Sequence, residues 1–268
     1  MAESNLPVLG DQEFRQLQQL MAQASGIHLS DSKRPMVAGR LMRRLRALNL
    51  STYRDYLQVL KDPGNKAEQR LVIDLLTTNE TYFFREPQHF QFFARWLVGR
   101  REPLRIWSAA CSSGEEPYTL SMVLAEHAQA GWSILGTDLS RIVLEKAQAG
   151  IYPLDQSGDF PPGWLKRHCL RGIGEHDGAF RLSPELRQHV SFRELNLMRQ
   201  LPDDIGKFDV IFLRNVLIYF GVEDKRAIVA RLLERLRPGG LLFIGHAESL
   251  HGFGLPLRSV APSVFERL

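Results

Sequence analysis

Cysteine is scarce in this chain of 268 residues, which contains only Cys111 and Cys169. Two cysteines do not make a disulfide framework, so a reducing compartment, the cytoplasm, is the expected location. Long apolar runs are also missing, because none approaches the roughly 18–20 residues that a membrane-spanning helix needs. The N-terminal stretch MAESNLPVLGDQEF lacks a basic segment followed by an apolar one, and no signal peptide is predicted. These absences favour a soluble globular protein without direct membrane insertion.

Acidic residues are fewer than basic ones in the first part of the chain. Residues 1–78 contain 11 Lys and Arg against 8 Asp and Glu, and the whole chain carries a net charge of +4. This region contains four segments with apolar residues at helical spacing, the first ending at Gly26 and the third capped by Ser51. In the second, residues 33–48, no acid occurs, and one side of the predicted helix carries basic residues: Lys33, Arg40, Arg43 and Arg44. We predict an all-α N-terminal domain, residues 1–78, with a basic helix.

Beyond about residue 80, apolar β-rich runs alternate with helical segments. The predicted strands are 104–110, 132–138, 208–215 and 241–247, the last following a turn at Pro238-Gly239-Gly240. This alternation predicts a doubly wound, Rossmann-like α/β domain, residues 104–268, with a parallel sheet and helices on both faces. Residues 161–192 break the pattern and are interpreted as a small antiparallel β insertion. Residues 79–103 are interpreted as a linker or lid.

Glycine is nearly absent from the turn that follows the first predicted strand. The turn reads AACSSGEEP, with a single glycine, Gly114, followed at once by Glu115 and Glu116. Asp138 ends the second predicted strand, 24 residues after Gly114. An acid at this position accepts hydrogen bonds from the hydroxyl groups of an adenine ribose. We therefore expect a ligand that contains adenosine.

The acidic turn discriminates between adenosine-containing ligands. NAD needs several glycines near its pyrophosphate, and two acids there would repel it. A P-loop is excluded because no GK[ST] follows the first strand. S-adenosylmethionine has no phosphate and carries an ammonium and a sulfonium, which carboxylates attract. The alternative is structural, since acids in a first helical turn and an Asp at a helix start also stabilise helices.

Five motifs in a fixed order resemble one family. NETYFFREPQHF, WSAACSSGEEPYTL, TDLSRIVLEKAQAGIY, RNVLIYF and GHAES are similar to the chemotaxis receptor methyltransferases of bacteria, the CheR family. The resemblance covers almost the whole chain. It implies a helical N-terminal domain, a methyltransferase domain with a β insertion, and methyl transfer from S-adenosylmethionine to receptor glutamates, with S-adenosylhomocysteine as product. In chemotaxis signalling, such methylation serves adaptation.

The resemblance also implies roles for individual residues. The residues matched to cofactor binding are Asn79, Thr81, Arg85, Glu116, Asp138, Asn196, Leu197, Arg214 and Asn215. Glu116 is assigned to the amino group of the cofactor and Asp138 to its ribose, although the sequence does not separate Glu116 from Glu115. Tyr219 and Arg101 are expected to orient the substrate carboxylate. No metal is expected, because His168, His176 and His189 match no zinc spacing.

The chemistry expected of such a site is modest. A glutamate with a pKa near 4.3 is already ionised at neutral pH, so no general base is needed. The enzyme must hold a carboxylate oxygen at roughly 3–3.5 Å from the methyl group that it attacks. The N-P-P-[YF] motif of amino-directed nucleic-acid methyltransferases is absent, and the corresponding place reads Arg-Asn-Val-Leu.

The expected partners are the acidic methylation helices of chemoreceptors, which suit the basic helix. Nucleic acid is not expected, because no aromatic residues are interleaved with the basic face. The β insertion either captures a receptor C-terminal peptide by strand addition, as in some family members, or is a structural hairpin. Two alternatives remain: a regulator that binds S-adenosylmethionine without catalysis, and a small-molecule or nucleic-acid methyltransferase on the same fold.

Overall fold

The computed structural model describes residues 7–268, which divide into two compact units. One unit comprises residues 7–78 and 219–221, and the other comprises residues 79–218 and 222–268. Residues 1–6, which were assigned from the sequence to the N-terminal domain and were searched for a signal peptide, lie outside the described residues. Within the described part, no helix has the length and apolar character needed to cross a bilayer.

The first unit is helical, as predicted. Its helices are α1 (Asp11–Ser25), α2 (Arg34–Ala47), α3 (Tyr53–Lys61) and α4 (Lys66–Leu76). Helix α1 ends at Gly26, as predicted, and this glycine adopts a left-handed conformation (φ 74°). Helix α3 is capped by Thr52 instead of Ser51, because the Thr52 hydroxyl accepts a hydrogen bond from the Asp55 amide at 3.1 Å.

The second unit is built on a mixed sheet of seven strands. Their order is β6-β2-β1-β7-β8-β10-β9, with the first five parallel and the last two antiparallel to their neighbours. The bounds are β1 (Leu104–Ala109), β2 (Trp132–Asp138), β6 (Val190–Glu194), β7 (Phe208–Leu213), β8 (Leu236–Ile244), β9 (Leu257–Ala261) and β10 (Val264–Arg267). The helices are α5 (Pro87–Leu97), α6 (Glu115–His127), α7 (Arg141–Ala149), α8 (Trp164–His168), α9 (Pro184–Arg187) and α10 (Val222–Arg235). The predicted α/β fold is confirmed, and the chain ends in an antiparallel hairpin.

The predicted turn at Pro238-Gly239-Gly240 lies inside strand β8. Phe208 pairs with Leu236 and Val210 pairs with Leu241, so three extra residues are accommodated on β8 by a shift in register. Gly239 adopts φ 72°, which glycine tolerates without strain. The turn signal therefore marks a bulge within the strand.

The small insertion forms a separate sheet of three antiparallel strands. These are β3 (Ile151–Pro153), β4 (Cys169–Arg171) and β5 (Ala179–Leu182), with β5 in the centre. The predicted bounds, 161–192, differ from this sheet at both ends. Strand β3 lies before residue 161, and residues from 190 onward pair in parallel with β2 of the main sheet. An apolar run indicates a strand but not the sheet that it joins.

The segment predicted as a linker or lid contributes to the core of the second unit. Phe83, Phe90 and Phe93 are buried. The Phe90 ring stacks on Phe212 of β7, with centroids 6.1 Å apart, and Phe212 stacks on Phe243 of β8 at 4.2 Å. Burial of these large rings fixes α5 on the sheet, and the residues just before α5 are held at the ends of the strands.

Candidate functional site

The candidate site lies where the parallel strands end. The turn at residues 110–114 follows β1, Asp138 ends β2, Arg214 and Asn215 follow β7, and residues 245–248 follow β8. Carboxyl ends of parallel strands share one edge of a sheet, and ligands bind there. Most of the predicted cofactor residues are brought to this edge.

The backbone around this edge is unusually strained. Among the described residues, seven that are not glycine have positive φ angles. Three of them, Ala110, Ser112 and Asn215, lie in the segments that follow the strands, and two more, Phe84 and Glu86, lie just before α5. Each such conformation costs about 1–3 kcal/mol and persists only where the surrounding structure imposes it. Strained residues cluster at functional sites, so the backbone and the strand topology indicate the same edge.

Three charged side chains at this edge form a continuous bridge, which we call the Glu86–Arg214–Glu116 bridge. Arg214 Nη2 lies 2.9 Å from Glu86 Oε2, and Arg214 Nη1 lies 3.0 Å from Glu116 Oε2. The other oxygen of Glu116 accepts a hydrogen bond from the Ser108 hydroxyl at 2.6 Å. The Arg214 side chain is only 2% exposed, so its charge is neutralised by these acids and not by water.

In each carboxylate of the bridge, burial raises the pKa and the Arg214 guanidinium lowers it. Burial opposes ionisation of Glu86, but Arg214 and hydrogen bonds from Asn215 and His246 outweigh it and lower the pKa of Glu86 to about 2. Burial also raises the pKa of Glu116 above its usual value, an effect that Arg214 and Ser108 oppose. With all three groups ionised, the bridge has a net charge of −1.

The structure separates Glu116 from Glu115, which the sequence did not. Both oxygens of Glu115 accept hydrogen bonds from the Ser113 hydroxyl, at 2.9 and 2.8 Å. Glu116 instead contacts Ser108 on β1 and Arg214 after β7. Glu116 is therefore the acid of this pair that is placed among the other predicted cofactor residues.

Asp138 connects the turn after β1 to the start of α7. Its Oδ2 accepts a hydrogen bond from the Ser112 amide, and its Oδ1 accepts one from the Ser140 amide, each at 2.9 Å. The bond to Ser140 is the helix-start role considered from the sequence, whereas the bond to Ser112 is a long-range contact. Asp138 as a whole residue is 6% exposed, and its carboxylate lies beside the acidic turn.

The N-x-T-x-x-x-R segment is attached to the same turn. The Asn79 carbonyl accepts a hydrogen bond from the Ser112 hydroxyl at 2.9 Å, and Thr81 is partly exposed. The Arg85 guanidinium lies 5.6 Å from the Tyr82 ring centre, and its Nη1 donates to the Glu80 carbonyl. This segment is therefore held at the strand ends by its backbone.

Asn196 and Leu197 follow strand β6 at the same edge of the sheet. The Asn196 side-chain oxygen accepts a hydrogen bond from the Met198 amide at 2.9 Å. Leu197 is buried, and its carbonyl accepts a hydrogen bond from Arg231 at 2.7 Å. These contacts fix the loop that was assigned to the adenine.

Two acids at the site were missed by the sequence reasoning. Glu86 belongs to the bridge, and Glu248 accepts hydrogen bonds from the amides of Asn215, Leu217 and Gly245 at 2.6–3.0 Å. Glu248 thereby holds together the loops that follow β7 and β8. Both acids lie inside motifs that resemble the family, Glu86 in NETYFFREPQHF and Glu248 in GHAES. Their membership of these motifs is the sequence feature that could have identified them.

The structure does not bring Arg101 to this edge. Arg101 is exposed and precedes the first residue of β1, so it lies toward the opposite end of the parallel sheet. Tyr219 ends a short 3₁₀ helix after β7 and groups with the helical unit, where its carbonyl accepts a hydrogen bond from the His28 amide at 3.0 Å. The role assigned to Tyr219 remains a prediction, whereas the position of Arg101 does not support the role assigned to it.

The four basic residues predicted for docking differ in their surroundings. Arg40 Nη1 donates to the carbonyls of Leu75 and Thr77 at 2.9 and 2.8 Å. Arg44 forms a paired contact with the buried Glu68, at 2.7 and 2.5 Å. Arg43 is exposed and borders two grooves, of about 590 and 500 Å³, and Lys33 is partly exposed. Arg40 and Arg44 thus have structural contacts within the helical unit.

One cluster of potential metal ligands occurs among the described residues. Ligand atoms of Glu86, His89 and His246 lie within 4.8 Å of one another. The carboxylate of Glu86 already pairs with Arg214, whose positive charge disfavours a cation beside it. The histidines considered from the sequence are not part of this cluster.

The donor set fits one cofactor class. A turn with two acids and a bridge of net charge −1 would repel a pyrophosphate and attract an ammonium or sulfonium group. Asp138, at the end of the second strand, is in the position that suits an adenine ribose. The five parallel strands with this acidic turn at their carboxyl ends define the class of S-adenosylmethionine-dependent methyltransferases.

Comparison with known proteins identifies the family within that class. The chain matches "CheR methyltransferase, all-alpha domain" over residues 12–77 and "CheR methyltransferase, SAM binding domain" over residues 79–261. It is 43% identical to the chemotaxis protein methyltransferase of Salmonella typhimurium over 90% of this chain and 85% of that protein. It is 40% identical to chemotaxis protein methyltransferase 2 of Pseudomonas aeruginosa over 97% and 96%. The chain belongs to the CheR methyltransferase family, and S-adenosylmethionine is its cofactor.

Proposed function

We propose that the protein methylates glutamate side-chain carboxylates of bacterial chemoreceptors, using S-adenosylmethionine. The observation that carries this proposal is the acidic strand-end site, with Glu116 and Asp138 beside the turn after β1, in a chain of the CheR family. The printed names of the relatives, chemotaxis protein methyltransferases, support receptors as the substrate class.

The proposed roles are those that the resemblance to the family implies. Glu116 holds the amino group of the cofactor and Asp138 its ribose. The cofactor is also contacted by the segment that precedes α5, through Asn79, Thr81 and Arg85. The adenine lies beside Asn196 and Leu197. The remaining cofactor residues, Arg214 and Asn215, are those that follow the end of β7. When bound, S-adenosylmethionine supplies a methyl group on a positively charged sulfur.

The substrate requires orientation and not activation. A glutamate carboxylate is ionised at neutral pH, so the site does not need to remove a proton before attack. Transfer neutralises the carboxylate as its oxygen is esterified, and excluding water from the edge favours that loss of charge. Tyr219 is the proposed orienting group for the carboxylate, and Arg101 takes no part in this proposal.

The decisive experiment is a methylation assay on receptor-containing membranes with cofactor labelled in its methyl group. Glutamate methyl esters release methanol in base, so the wild-type protein is expected to give base-labile label. Asp138→Ala is expected to lower the rate at least about 100-fold, because a buried hydrogen-bonded carboxylate is lost from the cofactor site. Receptors with the methylated glutamates replaced by alanine serve as the substrate control.

Cofactor binding without label, across a panel of receptors, would instead support the non-catalytic regulator. Label that appears in small molecules or nucleic acid, and not in receptors, would support the third alternative. Either result contradicts the proposed substrate.

The proposed docking surface for receptor helices is the exposed face of α2 around Arg43. Arg43 borders one groove with Met36, Leu71 and Leu75 on one side, and a second groove with Met42 on the other. An acidic helix with apolar residues at helical spacing would pair its charges with Arg43 and cover these apolar side chains. Lys33 and Arg40 add positive potential near this face, whereas the charge of Arg44 is offset by Glu68.

A pair of variants on α2 separates docking from stability. Arg43→Glu is expected to lower kcat/KM for receptors about 10-fold or more while leaving the melting temperature and S-adenosylhomocysteine affinity unchanged. Arg44→Gln is expected to destabilise the helical unit by about 2–3 kcal/mol, since it leaves Glu68 buried without its cation. Thermal unfolding and receptor kinetics are measured on both. Equal kinetic loss in the two variants, without a difference in stability, would contradict this assignment.

Strand β4 is the proposed second contact, for a receptor C-terminal peptide. Strand β4 is an edge of the three-stranded sheet, and the nearby side chains Leu170 and Ile173 are 52% and 82% exposed. An edge strand offers unpaired backbone groups to an extended peptide. The labelling assay, run with receptors that carry or lack their C-terminal segment, tests this contact: equal rates would leave β4 as a structural strand.

A further inference from the structure

Glu86 is a partly buried acid at the site to which the proposed function gives no role. It precedes α5 with φ 57°, a left-handed conformation that is unfavourable for a residue with a side chain. Its Oε1 accepts hydrogen bonds from Asn215 Nδ2 at 3.1 Å and from the His246 amide at 3.2 Å. Its Oε2 pairs with Arg214. Three contacting groups therefore hold a strained residue in one orientation, with its carboxylate against the guanidinium.

The charges of the bridge suggest why this second acid is present. Glu116 and Arg214 alone would form a neutral pair, because the guanidinium lies 3.0 Å from the Glu116 carboxylate. A neutral buried pair has little attraction for another cation. Glu86 adds a second negative charge on the other side of Arg214 and leaves the group with a net charge of −1. One positive charge from a ligand would then make the group neutral.

We infer that Glu86 is a positioning residue that neutralises Arg214, so that Glu116 keeps its negative charge for the ammonium group of the cofactor. The inference rests on the proposed role of Glu116. It deepens that proposal by explaining how a carboxylate already paired with arginine attracts a second cation. Glu86 acts through Arg214 and needs no contact with the cofactor.

The groups around Glu86 are consistent with this role. His89 Nδ1 lies 3.3 Å from Glu86 Oε2, but burial, followed by the positive charge of Arg214, lowers the pKa of His89 to about 4. His89 is therefore neutral near pH 7 and does not replace Arg214 as the cation. Phe90 covers the guanidinium, with its ring centre 5.3 Å from Arg214 Cζ. Water is thus kept from the arginine, and its positive charge is neutralised by the two acids.

The test compares two ligands that differ at the amino-acid end. S-adenosylhomocysteine carries the ammonium and a carboxylate, whereas 5′-methylthioadenosine lacks both and keeps the adenosine and the sulfur. In Glu86→Gln, the dissociation constant for S-adenosylhomocysteine, measured by calorimetry on the full chain, is expected to rise about 10- to 100-fold. The constant for 5′-methylthioadenosine is expected to change by less than about threefold, because the adenosine contacts do not involve the bridge.

The selective loss identifies the ammonium as the group affected. Removal of a negative charge from the protein favours the ligand carboxylate, so a weaker complex cannot arise from that end of the ligand. Glu86→Asp retains the charge and is expected to lose less affinity than Glu86→Gln. Glu126→Gln is the control, because it removes a partly buried acid that pairs with Arg167 near the other end of α6, and it is expected to leave the ratio of the two constants unchanged.

The outcomes separate this inference from the proposal beneath it. Glu116→Gln is expected to show the same selective loss as Glu86→Gln. If Glu116→Gln shows the loss and Glu86→Gln does not, the inference fails and the role of Glu116 stands. If Glu116→Gln leaves S-adenosylhomocysteine affinity unchanged, the assignment of the ammonium to Glu116 fails first. An equal loss for both ligands in Glu86→Gln indicates general damage to the site and overturns the positioning role.

Discussion

Gly114→Ala is expected to lower methyl transfer at least about 100-fold and to weaken cofactor binding. Gly114 has φ 96°, and a Cβ atom there would lie 2.8 Å from Ala147 Cβ and 3.1 Å from Ala147 Cα on α7. Ala147 is buried in that helix, so the turn must move, and Glu115 and Glu116 follow directly in the chain. A displacement of about 1 Å at a site that positions reactants costs roughly 100-fold in rate. Cofactor affinity and the rate of receptor labelling are the measurements.

Gly163→Ala is the matched control for this variant. Gly163 also has a positive φ, 82°, but a Cβ there meets no atom within 4 Å. It should show only the cost of the backbone conformation, about 1 kcal/mol in stability, with normal cofactor affinity. Normal affinity in both variants would contradict the close packing of the turn against α7 as a requirement for the site.

Arg214→Met is expected to cause the largest loss of stability, about 3–5 kcal/mol near neutral pH. Methionine is flexible and has no charge, so the partly buried Glu86 and Glu116 would remain near each other without a cation. In the wild-type protein the pKa of Glu86 is lowered to about 2, so its stabilising contribution is present above its usual value of 4.5 and is lost as the pH falls toward 2. In the variant, burial is expected to raise the pKa of both acids above that value, and their cost increases as the pH rises through it.

The difference in stability between wild type and Arg214→Met should therefore be largest near pH 7 and should shrink below about pH 4.5. Unfolding free energies measured across this range by urea titration provide the check. Arg237→Met is the control, because Arg237 pairs with Asp209 at 2.7 Å with its own side chain 45% exposed. Exposed pairs contribute about 0–1 kcal/mol. A loss for Arg214→Met that is as small as the control, or that does not change with pH, would contradict the bridge as described.

The sequence predicted where helices and strands occur better than it predicted which strands pair with each other. The four N-terminal helices, the strands at 104–109 and 132–138 and the helices after them follow from periodicity and from Gly, Pro and cap residues, and the structure has them at nearly those bounds. The bulge at Gly239 and the membership of β6 in the main sheet were not predictable in this way. Both depend on which strand lies alongside, and a local pattern carries no record of that neighbour.

The same division applies to the site. Glu116 and Asp138 were predictable because their roles depend on spacing from a strand–turn–helix, which is local in the chain. Glu86 was not, because it is 128 residues away from Arg214 in sequence. The four basic residues predicted for docking share a charge and a spacing, yet Arg44 is paired with Glu68 and Arg43 is exposed.

The sequence by itself determined the all-α and α/β units, the acidic turn that excludes phosphate-rich cofactors, and the motifs of the family. Only the tertiary structure decided which of two adjacent glutamates lies with Arg214, that a second acid neutralises this arginine, and which basic side chains remain exposed on α2. The physical reason is range. Helix spacing, caps and turns act over a few residues, whereas a buried charge is stabilised by whichever groups the fold brings within about 3 Å, from anywhere in the chain.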